Sequence, residues 1–372
     1  MSDAVYNIQY VRHVKSESNK PYNANVHNID PPLLSWELES QWAQESGQEG
    51  PKQGQGEGFD LIRNQVALHL ADLENDLEEP PTQLIAVSPL LRTLQTCLMG
   101  TPYHLLARGN RQVQIVIHPV LVEQTYWISD RVRPTEDIKA TISDALENRE
   151  YKPKEMPLTI NDLNIDWDEL NRHWSDDGVP GDLEYSKTLK LWNVKERFWA
   201  PENVIERGQA ANRALIRLCR ELCNGTRGKG AQKPGDFTLM VFGHGGFINF
   251  LAEELGNVNS EADQLRLTDW NVGEIRRYEL AEADYGGDNC YLKENPARRN
   301  CRLRLRGEPS VGDYDRFAEN EKRVKLRGWL KNLKEELLVG KDGSGGYIPK
   351  EEMVNYQNIQ KAYEEERAHR GK

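Results

Sequence analysis

Short apolar runs alternate with segments of helical period along most of this chain. Val5–Val11 mixes β-branched, aromatic and polar residues and predicts a strand. Leu84–Val87 and Val113–Ile117 are compact apolar runs of the kind found in buried parallel strands. Phe237–Phe242 predicts a central strand and Glu274–Leu280 a late one. Helical recurrence fills the gaps. Leu61, Ile62, Val66, Leu68, Leu70 and Leu73 share a helical spacing within Phe59–Leu77, and Glu79-Pro80-Pro81 stops it. Ser88-Pro89 reads as an N-cap followed by proline at the first helical position, which predicts a helix over Pro89–Leu98. Glu202–Cys223 places Ala211, Ala214, Leu215, Leu218 and Leu222 on one face, and Phe247–Leu255 predicts a further helix. Strand–helix alternation of this kind predicts an α/β fold. The expected form is a three-layer α/β/α sandwich, with helices on both faces of a mainly parallel sheet.

Three regions depart from that alternation. The Gly- and Gln-rich stretch near 43–58 cannot bury a core and predicts a flexible loop. Positions 119–200 pattern irregularly and carry Trp127, Trp167, Trp174, Trp192 and Trp199, as expected of a lid or specificity insertion folded over the sheet. Positions 312–372 are highly charged and helical by pattern, split by Gly340–Gly346. The predicted organisation is therefore one domain over 1–311 and a charged helical C-terminal extension over 312–372, whose helices offer a surface for a homodimer. Arg298–Arg306 alternates Arg and Leu, which predicts a strand with one charged face, the usual protection of a sheet edge.

Composition narrows the function classes. Only 38% of residues are hydrophobic, which fits polar insertions and tails around a core. A net charge of −11 disfavours non-specific nucleic-acid binding. No apolar run approaches the length of a membrane span, and the start of the chain lacks a secretory pattern, so a cytoplasmic protein with no membrane partner is expected. The five cysteines are odd in number and form no C-x-x-C pair, which predicts reduced thiols and no zinc site. Gly54, Gly56 and Gly58 do not follow a strand, so dinucleotide binding is unsupported. No cofactor and no metal are expected.

Three predicted strands end in reactive residues: Arg12-His13, Ser88-Pro89-Leu90-Leu91-Arg92 and His244-Gly245-Gly246. In open α/β sheets, ligands bind beyond the carboxyl ends of the strands, so parallel strands would bring all three together. The chemistry such a set supports is phosphoryl transfer. A neutral histidine can attack phosphorus and form a phosphohistidine. Paired arginines hold phosphoryl oxygens by bidentate forks, and a second histidine can donate to another oxygen. Gly245 and Gly246 allow the backbone to approach a ligand closely.

These motifs resemble those of the histidine phosphatase superfamily, the phosphoglycerate mutase-like family, and most of all its long eukaryotic, fungal-type members. The family's Arg-His-Gly-x-x-x-x-Asn loop stands here as Arg12-His13-Val14-Lys15-Ser16-Glu17-Ser18-Asn19. Asp30-Pro31-Pro32-Leu33-Leu34 is similar to its Asp-x-Pro-Leu-Thr element, and Ser88–Thr96 carries its Ser-Pro-x-x-Arg-x-x-Gln-Thr element complete. Leu121-Val122-Glu123 and His244-Gly245-Gly246 match two further elements. The resemblance covers the chain to about Leu255, with a looser echo at Trp270–Tyr278, and does not reach the tail.

Carried over by position, the resemblance implies a phosphoglycerate mutase-like fold and a metal-independent phosphatase. Its substrate would be a small-molecule phosphate ester. His13 would be the phosphorylated nucleophile, with Arg12, Arg92 and His244 completing the phosphate pocket. Glu123 would donate a proton to the leaving oxygen, with Asp130 a rival for that role. Asn19, Ser88, Gly245, Lys15 and Tyr126 would shape substrate binding. Two departures stand out. Val14 replaces the family glycine, and a β-branched residue restricts close backbone approach. Lys15 adds positive charge at the next position. Retained phosphate binding with altered substrate choice or reduced activity is expected. A mutase is disfavoured because no second determinant for a bisphosphate is visible. A non-catalytic phosphate-binding scaffold and a pocket recruited for other biosynthetic chemistry are the alternatives.

Overall fold

The computed structural model describes residues 4–13, 80–101, 103–106, 113–123, 130, 132–133, 135–147, 158–171, 203–228, 230–252, 255–256, 266–267, 270, 273–281, 291–294 and 299. Its centre is a seven-stranded sheet in the order β4-β3-β2-β5-β1-β8-β9. The strands are β1 (Val5–Arg12), β2 (Thr82–Val87), β3 (Gln114–Ile117), β4 (Ile165–Asp166), β5 (Thr238–Gly243), β8 (Ile275–Ala281) and β9 (Tyr291–Glu294). β1 to β5 run parallel, and β8 and β9 add an antiparallel pair along the β1 edge. The sheet is thus mixed and mostly parallel. A small antiparallel pair, β6 (Leu255–Gly256) with β7 (Arg266–Leu267), stands apart from it.

Every residue of β5 is buried. Successive side chains of a strand point to opposite faces, so both faces of the sheet are covered at its centre. The covering helices follow from the sequence pattern. The helix α5 (Val204–Cys223) turns Ala210, Ala211, Ala214, Leu215, Leu218 and Leu222 into the core. Its ends suit the helix dipole, with Glu206 in the first turn and Arg220 in the last. It packs on α6 (Phe247–Leu251) at Gly208, where an added Cβ would lie 2.4 Å from the Phe250 carbonyl oxygen, so only glycine permits this approach. The remaining helices are α1 (Leu91–Gly100), α2 (Tyr103–Leu106), α3 (Thr135–Glu147) and α4 (Asp168–Asn171).

Several boundaries differ from the sequence-based expectation. Helix α1 begins at Leu91, with Leu90 at its N-cap and no side-chain cap. Ser88 and Pro89 lie in the turn before it. The Ser88 hydroxyl is engaged by a ring 156 positions later in the chain and is not available to the helix. α6 stops at Leu251, and Leu255, expected to end that helix, pairs instead with Leu267. The region expected as an insertion supplies β4, an edge strand of the main sheet. Arg299 is helical and buried, not part of a solvent-facing strand. The loop near 43–58, the predicted helix Phe59–Leu77, most of the insertion and the whole extension from 312 lie outside the described residues. Among the described residues, no helix is long and apolar enough to cross a membrane.

Candidate active site

The parallel register brings the expected strand ends to one level. Arg12 pairs with Gly243, and Val87 pairs with both Phe242 and Ile117. Just beyond, the His13 amide donates to the Gly243 carbonyl (3.0 Å), the Ser88 amide to the Phe242 carbonyl (3.0 Å) and the His118 amide to the Val87 carbonyl (2.9 Å). Four chain segments therefore leave the sheet side by side at its carboxyl edge, where open α/β folds bind ligands.

Two imidazoles form the middle of the cluster. His13 and His244 are both buried, with ring centroids 5.2 Å apart in an edge-to-face arrangement. His244 is held on three sides. Its Nε2 lies 2.8 Å from the Ser88 hydroxyl. Its Nδ1 lies 3.4 Å from Arg92 Nη2 and 3.8 Å from Glu123 Oε2. Its backbone is clamped by the Tyr10 hydroxyl, which accepts from the His244 amide (2.8 Å) and donates to its carbonyl (3.1 Å). Burial, reinforced by the Glu123 carboxylate, pushes the Tyr10 phenol pKa up, so the hydroxyl stays neutral and keeps both roles.

Two guanidinium groups flank the rings. Arg92, the second residue of α1, is buried and donates to Asp130 Oδ1 at 2.7 Å. The Arg12 guanidinium donates to the Trp270 carbonyl. Burial pulls the Arg12 pKa down, Glu123 and Glu274 oppose that, and the nearby charge of Arg92 adds to the fall. Like charges that feel one another in this way favour an anion near both. Gly245 makes room for Arg12: an added Cβ would sit 2.8 Å from both its Cδ and Nε. Here the glycine serves the approach of a side chain. Trp270 is itself wedged, edge-on to Tyr10 at 5.5 Å and under the Arg276 guanidinium at 3.8 Å.

The two candidate acids separate cleanly. Asp130 has a side chain 7% exposed and ion-paired to Arg92. Glu123 has a side chain 14% exposed and faces His244 Nδ1. One carboxylate is paired with an arginine, and the other lies beside a histidine and is the more exposed of the two.

Arg12, His13, Ser88, Arg92, Glu123, His244 and Gly245 thus meet at one sheet edge. Lys15, Asn19, Tyr126 and the departing Val14 lie outside the described residues. Tyr10, Trp270 and the pairing of Asp130 with Arg92 were not foreseen from sequence. Tyr10 carries a faint signal, since it stands two positions before Arg12 and so shares its face of β1. Among the described residues, no group of three or more His, Cys, Asp or Glu side chains is placed to hold a metal ion.

No family model and no curated protein matches the chain. Solved structures match it across most of its length, at low identity and low TM-score. A mycobacterial glucosyl-3-phosphoglycerate phosphatase is 13% identical, with 78% of this chain and 97% of that chain covered and a TM-score of 0.33. The ecdysone phosphate phosphatase from Bombix mori, in complex with tungstate, is 12% identical, with 78% and 93% covered and a TM-score of 0.33. A phosphoglycerate mutase from Bacillus anthracis is 10% identical, with 79% and 93% covered and a TM-score of 0.34. Likeness of this size carries no weight by itself; the motifs and the side-chain geometry carry the functional reading.

Proposed function

We propose that this protein hydrolyses phosphate monoesters through a phosphohistidine formed at His13. The observation that carries the reading is the convergence of His13 and His244, rings 5.2 Å apart, with Arg12 and Arg92 at the carboxyl edge of parallel strands. The resemblance of the Arg-His and Ser-Pro-x-x-Arg elements to the histidine phosphatase superfamily supports it.

The steps follow from the placement of the groups. Arg12 and Arg92 bind the phosphoryl oxygens, and Asp130 holds Arg92 in position beforehand. The Ser88 hydroxyl donates to His244 Nε2, which leaves Nδ1–H to donate to a further oxygen. His13 attacks phosphorus as neutral imidazole. An N–P bond forms while the P–O bond to the leaving group breaks, and Glu123 transfers a proton to the departing oxygen. The Glu123 carboxylate then takes a proton from water. The water oxygen attacks phosphorus, an O–P bond forms while the N–P bond to His13 breaks, and inorganic phosphate leaves with His13 restored as the free imidazole. Asp130 is the orienting carboxylate because its charge is committed to Arg92, and Glu123 is the acid. A compact phosphate ester is the substrate class.

Replacement of His13 by alanine tests the assignment with an aryl phosphate. The expected result is loss of turnover by at least ~10³-fold, with loss of an acid-labile phosphoryl label. Equal turnover by both proteins refutes the reading. Val14, in place of glycine beside His13, favours a second reading: a protein that binds phosphate without turning it over. Measurable phosphate binding by the wild type, with neither label nor turnover, supports that alternative.

A further inference from the structure

The end of β1 is tied to one short segment ahead of β8, and the steps above do not use that segment. The Arg12 amide donates to the Glu274 carbonyl (3.0 Å), and the Gly273 amide donates to the His13 carbonyl (3.3 Å). The Arg12 guanidinium donates to the Trp270 carbonyl. The segment therefore grips Arg12 at its backbone and at its side chain.

The strand register explains what holds Trp270 in turn. β1 and β8 pair antiparallel, with Tyr10 opposite Arg276 and Ile8 opposite Tyr278. Alternate side chains of a strand share a face, and so do directly opposed ones. Tyr10, Arg12, Arg276 and Tyr278 thus lie on one face of the sheet. The Trp270 indole covers three of them. It is edge-on to Tyr10 at 5.5 Å, stacked with Tyr278 at 6.5 Å, and under the Arg276 guanidinium at 3.8 Å. Arg276 is fully buried and is itself fixed, because its Nε donates to Glu274 Oε1 at 2.8 Å. The Trp270 indole N–H is buried and has no hydrogen-bond partner among the described residues, so stacking holds the ring.

The bond to the Trp270 carbonyl decides how Arg12 can meet an anion. It occupies Nη1. The edge left to take two oxygens side by side is the one formed by Nε and Nη2. The Nε of Arg12 is buried and has no hydrogen-bond partner among the described residues.

We propose that Trp270 is a positioning residue: its stacked ring pins its own carbonyl, and that carbonyl turns Arg12 so that the Nε–Nη2 edge receives two phosphoryl oxygens. This inference rests on the placement of Arg12 at the phosphoryl group in the proposed function. It requires phosphate binding and not turnover, so the two can fail separately.

Calorimetric titration of the full-length protein with inorganic phosphate tests it. Trp270→Leu removes the ring and should raise the phosphate Kd roughly 10-fold. The conservative Trp270→Phe keeps a ring under the Arg276 guanidinium and loses an N–H that has no partner, so its Kd should stay within about 2-fold of wild type. In an Arg12→Met background, Trp270→Leu should change Kd by less than about 2-fold, because the group that it positions is gone. In a Tyr10→Phe background the roughly 10-fold effect should persist, because it does not run through the clamp on His244. Equal Kd values for the Leu and Phe variants overturn the proposal. So does a loss that persists without Arg12, or one that vanishes with Tyr10→Phe. Should Trp270→Leu not fold, Arg276→Lys takes its place, since an ammonium keeps the charge beside Glu274 but cannot lie flat on the indole. A roughly 3-fold rise in Kd that disappears in the Arg12→Met background supports the proposal, and no rise or the same rise in both backgrounds overturns it. A wild type that titrates as expected but does not hydrolyse an aryl phosphate removes the phosphatase reading and supports this inference. A wild type that binds no phosphate overturns it.

Discussion

Two clusters of arginines and carboxylates stand in different parts of this molecule, and they differ in charge balance. Near the amino-terminal ends of β2 and β3, a polar cleft of about 380 Å³ is lined by Gln83, Gln114, Asn164, Asp166, Thr226 and Arg227. Its arginines are matched by acids. Arg227 donates to Glu221 (2.6 Å), Asp166 (2.7 Å) and Gln114 (3.1 Å), and Arg217 pairs with Glu169 at 2.9 Å. Burial pulls the Arg227 pKa down, but its bonds to Asp166 and Glu221 outweigh this and the net shift is upward. At the carboxyl edge the same residue types are arranged otherwise. Arg92 pairs with Asp130, Arg12 donates to a backbone carbonyl, and two histidines lie beside them. The first cluster closes its charges on itself and serves the fold. The second sets two arginines beside two histidines, the arrangement on which the proposed phosphate site rests.

Substitutions at each edge can break this contrast. The largest effect is expected from Arg12→Met, which removes a cation whose hydrogen bond is to a carbonyl: kcat/KM for a phosphate monoester should fall by about 10³-fold with little change in Tm. A large drop in Tm with activity retained would place Arg12 among the structural arginines. Asp130→Asn comes next. It removes a counter-charge of the buried Arg92, so stability in urea should fall by about 3 kcal/mol and inorganic phosphate should inhibit less tightly. Phosphate inhibition unchanged from wild type would remove Asp130 as the group that orients Arg92. At the opposite edge, Arg227→Met strands Asp166 and Glu221 in a partly buried setting. It should cost about 2 kcal/mol of stability while kcat stays within about 2-fold of wild type. A selective loss of activity there would mean that the balanced cluster is also functional. The smallest effect belongs to Tyr10→Phe, which deletes the clamp on the His244 backbone. A stability loss of about 1 kcal/mol with a modest drop in kcat is expected, read by urea unfolding and steady-state kinetics.

Legibility from sequence followed the range of the interactions involved. The parallel strands were readable because β2, β3 and β5 are near-continuous apolar runs, as strands buried on both faces must be. Arg12-His13 and His244-Gly245-Gly246 were readable because each follows such a run directly. β4 was not, since Ile165-Asp166 is too short to show any period. The N-cap expectation at Ser88 failed because local capping competed with a distant partner, and the partner won. Asp130 could be read as an acid but not as the mate of Arg92, a relation that only the fold creates. Trp270 offers Arg12 a carbonyl, which every residue possesses and no motif can announce. Nothing in the sequence sets the buried Arg207 apart from the other charges of α5.

The sheet order has a consequence for how the chain acquires its shape. β1 is flanked by β5 and β8, and its Tyr10 meets His244 across 234 positions. During synthesis the first strand emerges long before either neighbour exists, with its hydrogen-bonding edges unsatisfied. Loop closure over that distance is slow, and an unpaired apolar strand is open to association with other chains. Refolding yield should therefore depend on protein concentration, and His13 should be among the last residues to reach its final surroundings.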